Sequence, residues 1–281
     1  NCRRSDDRLA TRGGGFFESA GSDRQLVRCR TLGIVGSVGG TCSSVDFRAS
    51  SDLHCRPTKE RLATGSERDM SVMTVTDELV HRAAWFKMFS LLFRYPNEET
   101  ITLLKDGVPE LPIEVLNTDM RANAEPFKRA VADASAEQIT LEYSSLFTGA
   151  GLCRANENDY EKLSFSMTEK LADVAGFYSA FGFEVNDDTG ERPDFVGTEL
   201  DFINLMLLKQ AYAVKNGWTE QAAVTADALA NFVETHFVRW VPKLCYALRE
   251  LATEGGIYAA GADALVAIVD SEDSRLPESS K

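Results

Sequence analysis

An all-α, single-domain helical bundle is the fold this 281-residue chain predicts from about residue 70 onward. Three observations carry the prediction. Apolar residues recur at steps of three and four through most of that length, the spacing of one helix face. Helix punctuation falls between those runs: Ser135 with Gln138 as a capping box, Gly182, Asn216-Gly217, and Pro242 at a first turn. No segment shows the strict alternation of a half-buried strand.

Three parts are expected: an N-terminal extension at 1–69, an all-α domain at 70–275, and a polar tail at 276–281. The extension carries 12 basic and 9 acidic residues, leaving 18 basic and 34 acidic for the remainder. It is rich in Arg, Gly and Ser and has no sustained apolar period, a composition that predicts disorder. Met70 or Met73 would then be the natural start.

The elements follow in order. Thr76 is placed to cap a first helix, with Leu79, Ala83, Phe86, Phe89 and Phe93 inward and Tyr95-Pro96-Asn97 as its stop. A short helix over Glu98–Lys105 and another near Glu125–Asp133 flank a proline-broken loop. The helix opened by Ser135 turns Ile139, Tyr143, Leu146 and Phe147 inward. The next one places Met167, Leu171, Val174, Tyr178 and Phe181 on one side before Gly182. After a loop ending at Pro193, Asp194 is placed as the cap of the central helix, with Val196, Leu200, Ile203, Leu207 and Ala211 on one stripe and Phe195, Phe202 and Met206 beside it. Asp194, Thr198, Asp201 and Leu205 share the remaining face. Glu199 lies among the aromatic residues, where a lone charge must find a partner or be neutralised. Thr219 is placed to cap a helix carrying Ala222, Ala226, Leu229, Val233, His236 and Trp240. Cys245, Leu248 and Leu251 face inward from the following helix, and an alanine-rich helix over Ile257–Val269 closes the domain.

Composition narrows the function classes. The formal net charge of −13 leaves no basic surface for phosphate, so nucleic acid is not an expected partner. No apolar run approaches the roughly 18–20 residues of a membrane span. Six cysteines without a Cys-x-x-Cys pair and three dispersed histidines predict neither a zinc site nor any other cofactor. The scattered cysteines fit a reduced, cytoplasmic setting. Enzyme chemistry is not expected either: H-E-x-x-H and G-x-S-x-G are both absent.

Four stretches carry a family resemblance. Glu191, Pro193 and Asp194, followed by Glu199, Leu200 and Phe202, resemble the Glu-x-Pro-Asp-His and Glu-Leu-x-Phe-Met pattern of the TorD/DmsD/NarJ chaperones of molybdenum-containing reductases. Phe195 stands where that family has His, and Ile203 where it has Met. Tyr143 with Leu146 and Phe147 resembles the family's Tyr-x-x-Leu-Phe segment. Tyr160-Glu161 resembles its Pro-Tyr-Glu loop, with Asp159 in place of the proline, and His236 with Trp240 resembles its His-x-x-x-Trp.

The resemblance implies a cytoplasmic chaperone that binds the twin-arginine signal peptide, or the cofactor-free catalytic subunit, of a dimethyl-sulfoxide-reductase-superfamily enzyme before its molybdenum cofactor is inserted. Such a peptide has a basic end and an apolar middle, which call for a carboxylate rim beside an apolar groove. Asp194 and Asp201 are assigned to the rim, and Tyr160, Glu161 and Phe195 to the adjoining loop and groove wall. Tyr143, Phe147, Pro193, Glu199, Leu200, His236 and Trp240 are assigned structural roles. His236 is expected to hydrogen-bond a buried carboxylate, with Glu199 and Asp201 as candidates. For Asp194 a pure capping role stays open, and for Asp201 that of a solvated carboxylate. A monomer or a dimer with exchanged elements are both compatible with the bundle. A nitrate-reductase-type assembly factor and a non-catalytic adaptor for another amphipathic helix remain as alternatives.

Overall fold

The computed structural model describes residues 65–113, 116–149, 151–160, 167–185 and 190–276, all within one compact unit, 54–281. Among them the chain is all-α. Nine helices follow one another: α1 (Gly65–Phe93), α2 (Glu98–Gly107), α3 (Thr118–Asp133), α4 (Ala136–Phe147), α5 (Met167–Ala180), α6 (Val196–Lys215), α7 (Thr219–His236), α8 (Val241–Leu251) and α9 (Ile257–Arg275). A single 3₁₀ turn, Glu157–Asp159, and one isolated bridge, Asn156 with Phe195, complete the described secondary structure.

Helix α6 is the axis of the bundle. It packs along α1 on one side and against α7 on another, while α9 gathers α3 and α8. The two longest partners run antiparallel, since Lys87 of α1 reaches Asp201 of α6 while Ala83, earlier in α1, reaches Asn204, later in α6. The aromatic stripe expected on α1 is buried, with Phe86, Phe89 and Phe93 at most 1% exposed. Phe89 stacks on Phe127 of α3 at 5.3 Å, and Phe202 of α6 meets Phe232 of α7 edge-on at 4.7 Å. Gly261 lets α9 close on α1, because a Cβ there would stand 2.6 Å from Leu92 Cδ2.

Several boundaries differ from the sequence expectation. Helix α1 begins at Gly65, so Thr76 lies inside it and caps nothing; the helix continues upstream because no Pro or Gly breaks the backbone between Ser66 and Thr76. Helix α3 starts at Thr118 under an Asn117 cap and carries Pro126 in its interior. Thr219 is the first residue of α7, whose N-cap Trp218 makes no side-chain cap bond. A four-residue turn after His236 takes Trp240 off α7, and Phe232 joins Leu229, Val233 and His236 on the buried face of that helix. Leu251 is 40% exposed where burial was expected, and α9 runs on to Arg275. The capping box of Ser135 and Gln138, the left-handed Gly182 and Gly217, and Pro242 in the first turn of α8 are all present as expected. The expected extension over 1–69 lies outside the described residues up to 64, and its last five residues, 65–69, form the start of α1; the expected tail over 276–281 lies outside them except for Leu276.

Candidate functional site

The N-terminus of α6 is built differently from a side-chain-capped helix. Phe195 is the N-cap residue and supplies no capping bond. The backbone of the 155–157 segment does that work: Val196 N–H donates to Ala155 O at 2.9 Å, and Glu157 N–H donates to Asp194 O at 2.9 Å. The helix end and the segment before the 3₁₀ turn are thereby stitched together like two strands. Gly197 belongs to the same device, since a Cβ there would meet the Phe195 ring at 2.6 Å.

Asp194 therefore does not cap the helix, and it does not stand on a rim. Its side chain is 0% exposed. Oδ2 accepts from Asn158 N–H at 3.2 Å, from Asn158 Nδ2 at 2.8 Å and from Arg192 Nη2 at 2.7 Å. The carboxylate thus holds the 3₁₀ turn from below, where three donors, one of them a cation, compensate its burial.

Asp201 is neither solvated nor free. Its two oxygens are divided between Lys87 Nζ at 2.8 Å and Arg94 Nη2 at 2.7 Å, and its side chain is 13% exposed. Arg94 also binds Glu191 at 2.8 Å, so one guanidinium ties the loop before α6 to α6 itself. Lys87 of α1 and Arg94 just past its end, seven residues apart, were not singled out from the sequence. The signal was there as two cations at that spacing beside the apolar stripe.

Glu199 is the most deeply enclosed acid. It is 0% exposed, and its one donor is the Trp240 indole N–H at 3.1 Å, which also donates to His236 O at 2.7 Å. Burial, followed by the nearby Glu157 and Asp194 carboxylates, pushes its carboxyl well above the usual range, and the Trp240 hydrogen bond only partly opposes this. Its enclosure thus favours the protonated acid, and among the described residues Glu199 has a hydrogen bond and no ion pair.

His236 does meet a buried carboxylate, but neither Glu199 nor Asp201. Its Nδ1 stands 3.2 Å from Oε2 of Glu157, a residue 2% exposed in the 3₁₀ turn, and its Nε2 stands 3.2 Å from Asp173 of α5. Glu157 escaped the sequence reading because a Glu in a polar loop gives no sign of burial; only the stitch to Asp194 turns it inward. Tyr178 completes the surround, donating from its hydroxyl to Pro193 O at 2.8 Å. Burial, then Glu199, Asp194 and Glu157, raise the phenol well above its ordinary value.

Tyr160 and Phe195, both half-buried, lie over this layer. The Tyr160 ring rests on Trp240 with centroids 5.7 Å apart, and its hydroxyl donates to Arg154 O at 2.7 Å. Glu161 lies outside the described residues. Pro193, Asp194, Phe195, Glu199, His236, Trp240 and Tyr160 are thus brought together, with Leu200 buried at the base. Asp201 belongs to the neighbouring ion-pair cluster. Tyr143 and Phe147 form a separate aromatic group with Tyr258 and Tyr95; burial first, then Glu191, raises the Tyr143 phenol to about 12. No group of three or more His, Cys, Asp or Glu among the described residues is arranged to hold a metal, and no described helix is long and apolar enough to cross a membrane.

Fold and site together define an all-α protein whose diagnostic acids and aromatics hold one helix terminus to one loop. The model of the nitrate reductase delta subunit family matches residues 114–246, a stretch that contains every residue of this layer. By these matches the chain is similar to the TorD/NarJ family of redox enzyme maturation proteins. It is 31% identical over 108 residues to a selenate reductase assembly chaperone protein from Thauera selenatis, covering 38% of this chain and 53% of that one. To the chaperone protein TorD of Vibrio parahaemolyticus it is 25% identical over 137 residues, covering 48% and 56%. It thus spans about half the length of these relatives. A crystal structure of a redox enzyme maturation protein from Archaeoglobus fulgidus superposes with a TM-score of 0.44 at 20% identity, covering 67% of this chain and 93% of that one.

Proposed function

We infer that this protein is an assembly chaperone for the catalytic subunit of a molybdenum oxidoreductase, acting in the cytoplasm on the cofactor-free form and without chemistry of its own. One observation supports this reading above the others. Among the described residues, those that resemble the family's motifs are spent on holding a surface, namely Tyr160 and Phe195, and not on assembling a nucleophile, base or metal site. Half-buried aromatics on a pinned loop suit the apolar middle of an extended or helical peptide. Asp194 and Asp201 would then serve by positioning: Asp194 fixes the loop, and Asp201 fixes α6 on α1.

Two clients fit. A twin-arginine signal peptide is one, and the mature apo-subunit is the other. Phe195, standing where the family has His, favours the second, because it removes a polar contact and enlarges the apolar wall. The test is a binding titration of a candidate catalytic subunit in three forms: with its leader, without it, and with the paired arginines replaced. Binding that survives removal of the leader identifies the mature subunit as client. Binding abolished by the arginine replacement identifies the signal peptide. Failure to bind any of the three forms would sink the chaperone reading and leave an adaptor for some other amphipathic helix.

A further inference from the structure

We propose that Glu199 is a one-proton latch: as a neutral carboxylic acid it lets the 3₁₀ turn and Tyr160 close on α6, and its ionisation releases them by repulsion from Asp194 and Glu157. Among the described residues the arginines and lysines around the site are already committed: Arg192 to Asp194, and Lys87 and Arg94 to Asp201. Glu199 keeps only half of one indole N–H, and its Oε1 has no hydrogen-bond partner. A fully buried carboxylate with so little compensation cannot remain ionised in a closed core. A proton on Oε1 would turn that unpartnered oxygen into a donor, and Asp194 and Glu157 are the acidic groups that act on Glu199. Asp194 Oδ1 is itself buried and without a partner.

The groups facing Glu199 come from every neighbouring element. Asp194 and Arg192 lie before α6, Glu157 and Tyr160 lie in the segment beside it, and Tyr178 and Asp173 are on α5. His236 ends α7, Trp240 opens α8, and Lys87 of α1 and Arg94 just past its end are held one turn away on Asp201. Three acids therefore crowd one layer: Glu157, Asp194 and Glu199. Charging the third adds repulsion along the line that joins Asp194 to the 3₁₀ turn and Glu199 to Trp240. Those links hold the turn and the ring under Tyr160, so that segment yields first. The latch is independent of the chaperone reading, since it concerns only the closure of this segment.

The experiment has two parts. Infrared spectra of the wild type at neutral pH should contain the carbonyl stretch of a protonated carboxylic acid that is missing from Glu199→Gln, and in Glu157→Gln the band should disappear at lower pH because one repelling charge is gone. Hydrogen exchange should show the protection factors of amides 157–160 falling in the wild type as pH rises above neutrality, while those of α3 hold. In Glu199→Gln, which keeps a neutral acceptor for Trp240, the protection of 157–160 should stay flat. A wild type with no protonated-acid band, or a fall in protection that is the same in both proteins, would overturn the proposal.

Discussion

The indole N–H of Trp240 lies between two acceptors, 3.1 Å from Glu199 Oε2 and 2.7 Å from the backbone oxygen of His236. One donor thereby serves the acid at the start of α6 and the open end of α7. The ring, 0% exposed, also forms the floor under Tyr160. Trp240→Ala should cost about 3–5 kcal/mol in a urea titration, the range for emptying a large aromatic site. Trp240→Phe keeps most of the packing, leaves Glu199 without a donor, and should cost roughly 1–3 kcal/mol.

Asp194→Asn separates the loop-holding role from helix capping. The amide oxygen can still accept from Asn158 in the Oδ2 position, but it accepts more weakly than a carboxylate, and the pair with Arg192 loses its charge. Faster exchange at the amides of Glu157 and Asn158 is expected, with the amides in the first turn of α6 unchanged, because Ala155 O and not the Asp194 side chain satisfies that end. Loss of protection confined to α6 would return Asp194 to the role of a cap.

Asp201→Asn tests the clamp between α1 and α6. Lys87 and Arg94 retain about a quarter of their side-chain exposure, at 27% and 25%, so solvent screening reduces what the pairs contribute. A loss of roughly 1–2 kcal/mol is expected. A double-mutant cycle of Arg94→Ala with Asp201→Asn should show coupling that weakens with added salt.

Gly197→Ala should be more damaging than its helical position suggests. Alanine is the better helix former by about 1 kcal/mol, yet its methyl would meet the Phe195 ring at 2.6 Å. A net loss of roughly 1–3 kcal/mol follows from the overpacking. In the double variant with Phe195→Ala the alanine at 197 should become neutral or favourable, which a thermal melt of the four proteins would show.

Stability should also depend on pH through Glu199. Its folded-state value is raised well above 4.5, so the folded protein binds the extra proton, and stability falls as pH rises from the ordinary Glu range up to the folded value. Glu199→Gln removes that decline. Its melting temperature should exceed that of the wild type at about pH 8, with the gap closing towards about pH 4.5. A gap that stays constant across the range would show that Glu199 is ionised in both states.

The order of helices, most of their ends and the buried stripes were legible in the sequence, because helical periodicity, Gly182, Gly217 and the Ser135 capping box are local signals read over a few residues. So was the demand that Glu199 and His236 find something to offset their burial. The answers to those demands were not legible. Glu157 reaches His236 across 79 residues, Trp240 reaches Glu199 across 41, and Arg94 reaches Asp201 across 107. Such pairings depend on where the bundle closes, which no local pattern encodes. Asp194 makes the same point at shorter range: its residue type and position before a helix specify a cap, but the backbone of Ala155 arrives first, and the freed carboxylate turns inward to hold the loop. The sequence by itself determined which segments are helices and which side chains must leave water. The tertiary structure alone decided which polar groups meet there, since each buried charge takes the nearest donor that packing supplies.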